Sequence, residues 1–288
     1  KSGTEIINSP TVIGENIYFS AAEKGIHLIN FDGKLNWQRN LSAAVYGTPT
    51  VGDEFIYVGD LEGLIHAIDR RSGDLIWSKR HAQFSIEQQL MYHNGVLYFG
   101  AWDGFVYAVD ARDGSLVWKQ RGPAGQSGER KYKSRYYAPA DCPTVIIGDC
   151  LFVTDRAYRL GSYALSGDYI GDIDSGIAAI GPSEDGRYFY ARGLKNGLTR
   201  YDANGRQVWS NPVSLGRFPI PPTEVSSKVY VCSNLGMLTV HDAVTGKILW
   251  RYQVTPQLHV MAPTSADKAG NVYIAAMDGN VSCIAFRD

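Results

Sequence analysis

Gly63 to Trp77 reads GLIHAIDRRSGDLIW, and the chain writes this stretch again. It returns as GFVYAVDARDGSLVW from Gly104 to Trp118 and as GMLTVHDAVTGKILW from Gly236 to Trp250. Shorter or worn copies run from Gly25 to Trp37 (GIHLINFDGKLNW), Gly197 to Trp209 (GLTRYDANGRQVW) and Leu160 to Gly171 (LGSYALSGDYIG). Self-similarity of this kind marks a repeat architecture, in which each copy is one unit that cannot bury its apolar faces alone. Trp37, Trp77, Trp118, Trp209 and Trp250 step by 40, 41, 91 and 41 residues, and the long step holds the worn copy.

Ahead of each copy lies a short apolar run: Ile17-Tyr18-Phe19, Ile56-Tyr57-Val58, Leu97-Tyr98-Phe99, Leu151-Phe152-Val153, Tyr188-Phe189-Tyr190, Val229-Tyr230-Val231 and Val272-Tyr273-Ile274. Aromatic and β-branched runs bounded by turn residues read as buried strands. Turns such as Asn94-Gly95 and Asp185-Gly186 precede them, with the positive φ that tight hairpins need. A further strand comes before each turn. Six of the seven are expected to begin at Pro10-Thr11, Pro49-Thr50, Pro143-Thr144, Pro182-Ser183, Pro222-Thr223 and Pro263-Thr264. Proline lacks an N–H and is tolerated at the start of a strand. The third repeat has Gln89-Leu90 there instead.

Each repeat is therefore four antiparallel strands, and stacking such sheets radially buries both faces. The last repeat ends at NVSCIAFRD, after its third strand. Ser2-Gly3 and Ile7 resemble Ser72-Gly73 and Trp77, so residues 1–8 are expected to complete the last sheet and close the ring. The expectation is an all-β, seven-bladed β-propeller in which residues 1–288 form a single domain. Eight blades would need a longer chain, and an open solenoid would not need a split repeat.

Within the unit, Asp69, Asp110, Asp202 and Asp242 end a strand, where a carboxylate can accept turn N–H groups. Each Trp is large and amphipathic, suited to bridge neighbouring blades while its indole N–H finds a carbonyl. Trp37, Trp77, Trp118, Trp209 and Trp250 are assigned this structural docking role. The pattern in AIDRRSGDLIW, with its near match HDAVTGKILW, resembles the tryptophan-docking repeat of quinoprotein (pyrroloquinoline-quinone-type) propellers. That superfamily includes quinone-dependent alcohol dehydrogenases. It also includes non-enzymatic members, among them the propeller lipoprotein of outer-membrane protein assembly and sensor domains attached to kinases. The resemblance implies the bacterial periplasm or cell exterior as the place of action.

The family's dehydrogenases have eight blades, an adjacent cysteine pair beside the quinone, a bound calcium and a catalytic Asp. This chain has no Cys-Cys pair and seven repeats, so no quinone or other cofactor and no catalytic residue is assigned. Its six histidines show no metal spacing, and Asp168, Asp172 and Asp174 read as a turn rather than calcium ligands, so no metal is assigned. No G-x-S-x-G elbow points to a nucleophile, although a Ser-His-Asp arrangement built in space would be invisible here. Cys232 and Cys283 read as buried small residues, and Cys142 and Cys150 flank one hairpin where a disulfide is a matter of geometry. A net charge of −1 gives no general pull toward nucleic acid, and no run of 18 apolar residues spans a bilayer.

Propellers bind at the face built by the loops that enter each innermost strand and by those between second and third strands. The longest entering loop, residues 119–142, is KQRGPAGQSGERKYKSRYYAPADC. It breaks the repeat by about a dozen residues, and long loops in compact domains are often functional. Arg130, Lys131, Lys133 and Arg135 interleave there with Tyr132, Tyr136 and Tyr137, and Arg and Tyr are favoured anchors. Trp102 is the one Trp outside the docking register, and Tyr46, Glu87, Gln88, Arg217, Phe218 and His259 also approach the mouth. The reading is a non-catalytic binding module, a protein-interaction scaffold or ligand-sensing propeller. Its partner is a protein or peptide, acidic or aromatic-bearing, or a glycan. The chain acts as a monomer or as part of a larger polypeptide. The alternative is an enzyme at the channel mouth, a reduced quinoprotein dehydrogenase or a propeller-type lyase or hydrolase.

Overall fold

A computed structural model describes residues 4–254, 260, 263–275 and 281–285. They form two compact units. The first holds residues 1–144 with the short segments Asp155–Ala157 and Ser166–Asp168; the second holds the remainder.

Three sheets build the first unit. They are β1 (Thr11–Ile13), β2 (Asn16–Ala21), β3 (Gly25–Asn30) and β4 (Leu35–Arg39); β5 (Thr50–Val51), β6 (Phe55–Gly59), β7 (Leu64–Asp69) and β8 (Leu75–Arg80); and β9 (Met91–His93), β10 (Val96–Gly100), β11 (Phe105–Asp110) and β12 (Leu116–Arg121). After β12 come a one-turn helix, α1 (Pro123–Gln126), and two 3₁₀ turns, Arg130–Lys133 and Arg135–Tyr137. The second unit has β13 (Val145–Ile147), β14 (Cys150–Thr154), β15 (Arg159–Ala164) and β16 (Tyr169–Ser175); then β17 (Ile177–Pro182), β18 (Tyr188–Gly193), β19 (Leu198–Asp202) and β20 (Gln207–Asn211). Its other two sheets are β21 (Thr223–Val225), β22 (Lys228–Cys232), β23 (Met237–Asp242) and β24 (Ile248–Gln253), and β25 (Ser265–Ala266), β26 (Asn271–Ala275) and β27 (Val281–Ala285). Neighbours in sequence are neighbours in each antiparallel sheet, and the seven sheets are the blades of a β-propeller. Among the described residues, no helix is long and apolar enough to cross a membrane.

The two inner strands of a blade are buried on both faces, as their unbroken apolar runs require, while the outer strand is largely exposed. The core lies between sheets: Tyr57, Ile65 and Ala67 of one meet Leu97, Phe99 and Tyr107 of the next. Between β9 and β10 the hairpin turns on Asn94 (φ 48°) and Gly95 (φ 79°). Both centres are left-handed, the geometry that matches the twist of the flanking strands. Ser226 (φ 51°) and Ser227 (φ 60°) make the same turn between β21 and β22 without glycine.

Each repeated Asp closes its turn as expected from its position. Asp69 Oδ1 accepts the N–H groups of Arg71 and Ser72 at 2.8 Å each, and Asp242 Oδ1 accepts that of Thr245 at 2.7 Å. Both carboxyls are held below the usual pKa, Asp69 by these two N–H groups and Asp242 first by the Thr245 hydroxyl, which donates to the same Oδ1 at 2.7 Å, and then by the Thr245 N–H. Trp37, Trp77 and Trp209 each lie on the turn of the following blade. Trp37 Nε1 donates to the Arg70 carbonyl, Trp77 Nε1 to Ala111 and Trp209 Nε1 to Ala243, at 3.3, 3.3 and 3.1 Å. The glycines after those carbonyls have no room for a side chain: a Cβ on Gly73, Gly114 or Gly246 would stand 2.7, 2.8 or 2.6 Å from the indole.

Several expectations need correction. The strand expected to begin at Pro182-Ser183 ends there instead. β17 starts at Ile177, because Gly176 alone (φ 76°) connects it to β16, and the strand reaches Pro182 opposite Phe189. Asp172 and Asp174 lie in β16 rather than in a turn. Asp172 accepts from Tyr169 Oη and Arg159 Nη1 at 2.5 and 3.0 Å, and Asp174 accepts from Tyr201 Oη at 2.5 Å. All four cysteines are free, so no bridge links Cys142 to Cys150. Cys232 is buried but Cys283 is exposed, because no described strand pairs the far side of β27. As for a closing strand from residues 1–8, residues 1–3 lie outside the described residues and Thr4–Asn8 carry no strand. The Glu5 carbonyl accepts the Ala22 N–H at 2.8 Å, as the Ala44 carbonyl accepts the Leu61 N–H at 3.0 Å. Residue 5 thus takes, before the first blade, the place that residue 44 takes before the second.

Candidate functional site

The 119–142 loop is folded and anchored at both ends. Pro123 opens α1, and its fixed φ suits the first helical position. The buried Asp155 fixes that start, accepting the Ala124 N–H on Oδ2 at 2.6 Å and the Ala157 N–H on Oδ1 at 2.9 Å. At the other end Ala138 and Ala140 are fully buried, and the Ala138 carbonyl accepts the Arg156 N–H at 3.2 Å. The Pro139 carbonyl lies where a Cβ on Gly100 would fall, so β10 needs glycine as its last residue. The two 3₁₀ turns between these anchors project outward, with Arg130, Lys131, Lys133, Arg135 and Tyr136 exposed.

At the centre is Arg156. Its Nη1 is 2.7 Å from Asp141 Oδ2, and its guanidinium lies 5.1 Å from the Trp102 ring centroid and 4.9 Å from that of Tyr136. A guanidinium over aromatic faces is held by the ring quadrupoles, and it presents its remaining N–H groups at its edge. Tyr137 meets both Tyr132 and Tyr136 edge-on at 5.1 Å, making one aromatic ridge. Arg135 lies 4.3 Å over the ring of Phe84, a phenylalanine that is 39% exposed. The Trp102 N–H donates to the Ser85 carbonyl at 3.1 Å, tying the two loops together. Trp102 Nε1 is buried and has no partner among the described residues.

The electrostatics are mixed. Burial raises the Asp141 pKa, with Glu87 adding to the rise and Arg156 opposing it. Ser85 Oγ donates to Glu87 Oε1 at 2.7 Å, which orients that carboxylate. Lys131 bonds Glu129 Oε2 at 2.9 Å and lies 4.6 Å over Tyr132; both contacts favour the ammonium and raise its pKa. The surface is therefore aromatic and cationic at its rim, with two carboxylates set deeper.

Of the residues singled out in the sequence, Trp102, Tyr132, Arg135, Tyr136 and Tyr137 come together here, with Glu87 beside Asp141. Gln88 is half-buried, and its carbonyl packs where a Cβ on Gly47 would stand. Tyr46 is half-buried and lines a separate cavity with Glu5, Ala22 and Glu23. Arg217 and Phe218 belong to the second unit, on the connector between β20 and β21. His259 lies outside the described residues. Sequence reasoning missed Arg156, Phe84 and Asp141. Arg156 had a signal: it follows Thr154-Asp155 as Trp102 follows Gly100-Ala101, so it is the next repeat's counterpart of Trp102.

The second unit has a cation of its own. Arg192 is fully buried and carries no carboxylate partner among the described residues. It donates to the Leu215 and Cys232 carbonyls, the latter at 2.8 Å, and to Asn234 Oδ1 at 2.7 Å. Burial lowers its pKa to about 10. The fork holds loops together and presents nothing to solvent.

The fold recurs among solved structures. A computationally designed protein, Ika8, is similar with a TM-score of 0.80 at 15% identity, over 98% of this chain and 84% of that one. BamB from Moraxella catarrhalis is similar with a TM-score of 0.71 at 14% identity, over 99% of this chain and 84% of that one. No curated protein matches the sequence. The sequence pattern of the family described as outer membrane protein assembly factor BamB matches residues 2–168 and 159–288, together spanning nearly the whole chain. The chain belongs to that BamB family of propellers.

Proposed function

We propose that this chain is a non-catalytic binding module, a scaffold that holds a protein segment against the face carrying the 119–142 loop. The observation that carries the reading is the cluster of Arg156, Trp102 and Tyr136 with Arg135 over exposed Phe84. Aromatic and Arg side chains held in fixed geometry lose little entropy on binding, which is why they anchor interfaces. The exposed Arg130, Lys133 and Arg135 favour a segment carrying carboxylates, with an aromatic or apolar side chain for Phe84. Membership of the BamB family supports a periplasmic setting, in association with outer-membrane protein assembly.

The test is a photo-crosslinking amino acid placed in living cells at Phe84, at Tyr136 and, as a control on an outer strand, at Val208. Adducts from the first two positions that vanish with Arg156→Ala and Arg135→Glu support the reading. Adducts from Val208 alone would place the partner elsewhere and overturn it.

A further inference from the structure

In the second blade three side chains are linked in a line. Ser78 Oγ is 2.9 Å from His66 Nδ1, and His66 Nε2 is 3.0 Å from Asp60 Oδ2. We propose that Ser78 is a nucleophilic serine, a site of covalent acylation separate from the binding face.

The arrangement follows from the strands. His66 in β7 and Ser78 in β8 are direct cross-strand partners, so their side chains stand on the same face. Asp60 sits in the turn between β6 and β7. Its Oδ1 accepts the N–H groups of Glu62 and Leu64 at 2.9 Å each, which leaves Oδ2 for the imidazole. Asp60 is fully buried and His66 nearly so, while Ser78 is exposed. The carboxylate only accepts, so the neutral imidazole carries its proton on Nε2 and offers the Nδ1 lone pair to the Ser78 hydroxyl. A buried carboxylate fixes the tautomer, the imidazole is the base, and the hydroxyl belongs to an exposed residue.

Scaffolding alone does not call for this set. The same cross-strand position holds Tyr107 with Lys119 in the third blade, both bound to Asp103, and Thr239 opposite Arg251 in the sixth. Those blades form the same strands without a base beside a hydroxyl. Arg80 further holds the turn, bonding the Glu62 carbonyl and, at 3.2 Å, Glu62 Oε2.

In the reaction, Ser78 Oγ attacks the carbonyl carbon of an activated ester or thioester. The O–C bond forms, the bond to the alkoxide or thiolate leaving group breaks, and the serine proton passes through His66 Nδ1 to that leaving group. The products are O-acyl-Ser78 and a free alcohol or thiol.

Diisopropyl fluorophosphate probes the same nucleophile, forming Oγ–P and releasing fluoride with the proton. The experiment treats the native full chain and maps the adduct by peptide mass spectrometry, with exposed Ser115 and Ser127 as internal controls. Ser78 is expected to label at least roughly 10²-fold faster than either control, the scale of general-base assistance. Unfolding in urea should abolish the difference, and His66→Gln should lower the Ser78 rate to that of the controls. Equal labelling of Ser78, Ser115 and Ser127 in the native chain overturns the proposal. So does fast Ser78 labelling that survives His66→Gln in a variant shown by circular dichroism to be folded.

Discussion

Trp77 lies against Gly114: its indole N–H reaches the Ala111 carbonyl at 3.3 Å, and a Cβ on residue 114 would stand 2.8 Å from the ring. Gly114 also has φ 72°. Gly114→Ala therefore meets two penalties, left-handed strain and a clash with a partly buried ring, together about 2–4 kcal/mol. Gly95→Ala meets only the first, since nothing lies within 4 Å of its Cβ position, and should cost about 1 kcal/mol. Urea unfolding of both variants checks the difference; equal losses would show that the indole yields freely.

Arg192 is tested by Met and Lys. Met fills the volume but leaves the carbonyls of Leu215 and Cys232 and the Asn234 amide oxygen without their donor, a loss of about 2–4 kcal/mol. Lys keeps the charge but cannot reproduce the planar fork, so it should recover only part of the loss. Thermal melts of the three proteins order them wild type, Lys, Met.

Asp185 gives a pH dependence. The N–H of Arg187, the Ser183 hydroxyl and the Arg187 guanidinium hold its carboxyl down to about 2, from an ordinary 3.8. The folded value is depressed, so the stabilisation is full above the unfolded value and fades as pH falls through about 2. The side chain is 39% exposed, so solvent screening keeps the effect below about 1 kcal/mol. Asp185→Asn should be less stable than wild type at neutral pH, and the gap should close as unfolding is repeated at successively lower pH.

The thiols should separate by rate. Burial pushes the Cys232 thiol up to about 11 and raises Cys150 as well, while Cys283 is exposed. Thiolate is the reactive form. Iodoacetamide at mildly alkaline pH should modify Cys283 first, Cys150 slowly, and Cys142 and Cys232 only after unfolding. Intact mass should be the same with and without reductant, because no pair is bridged.

Much of the fold was legible because a repeat declares its own register. Where Asp69 and Trp77 recur at fixed spacing, strand, turn and docking position recur with them. The worn copy shows the limit. Gly171 stands in the Trp register, opposite Ser162 as Trp77 stands opposite Ala67, and it has nothing to dock. A second irregularity in the pairing of β15 with β16 lets Ile173 do the work, so that a Cβ on Gly205 would stand 2.5 Å from its Cδ1. Nothing local to Ile173 announces that role.

The sequence by itself determined the seven-blade count, the order of strands, the turn-closing aspartates and the placement of the long basic and aromatic loop. These follow from local periodicity, because alternating turns and apolar runs fix which residues must be buried. Only the tertiary structure decided that Arg156 lies over Trp102 and Tyr136, that Asp141 is its ion-pair partner, and that Asp60, His66 and Ser78 line up. Those contacts depend on strand register, bulges and the path of connectors, which set distances between residues far apart in the chain and leave no period in it.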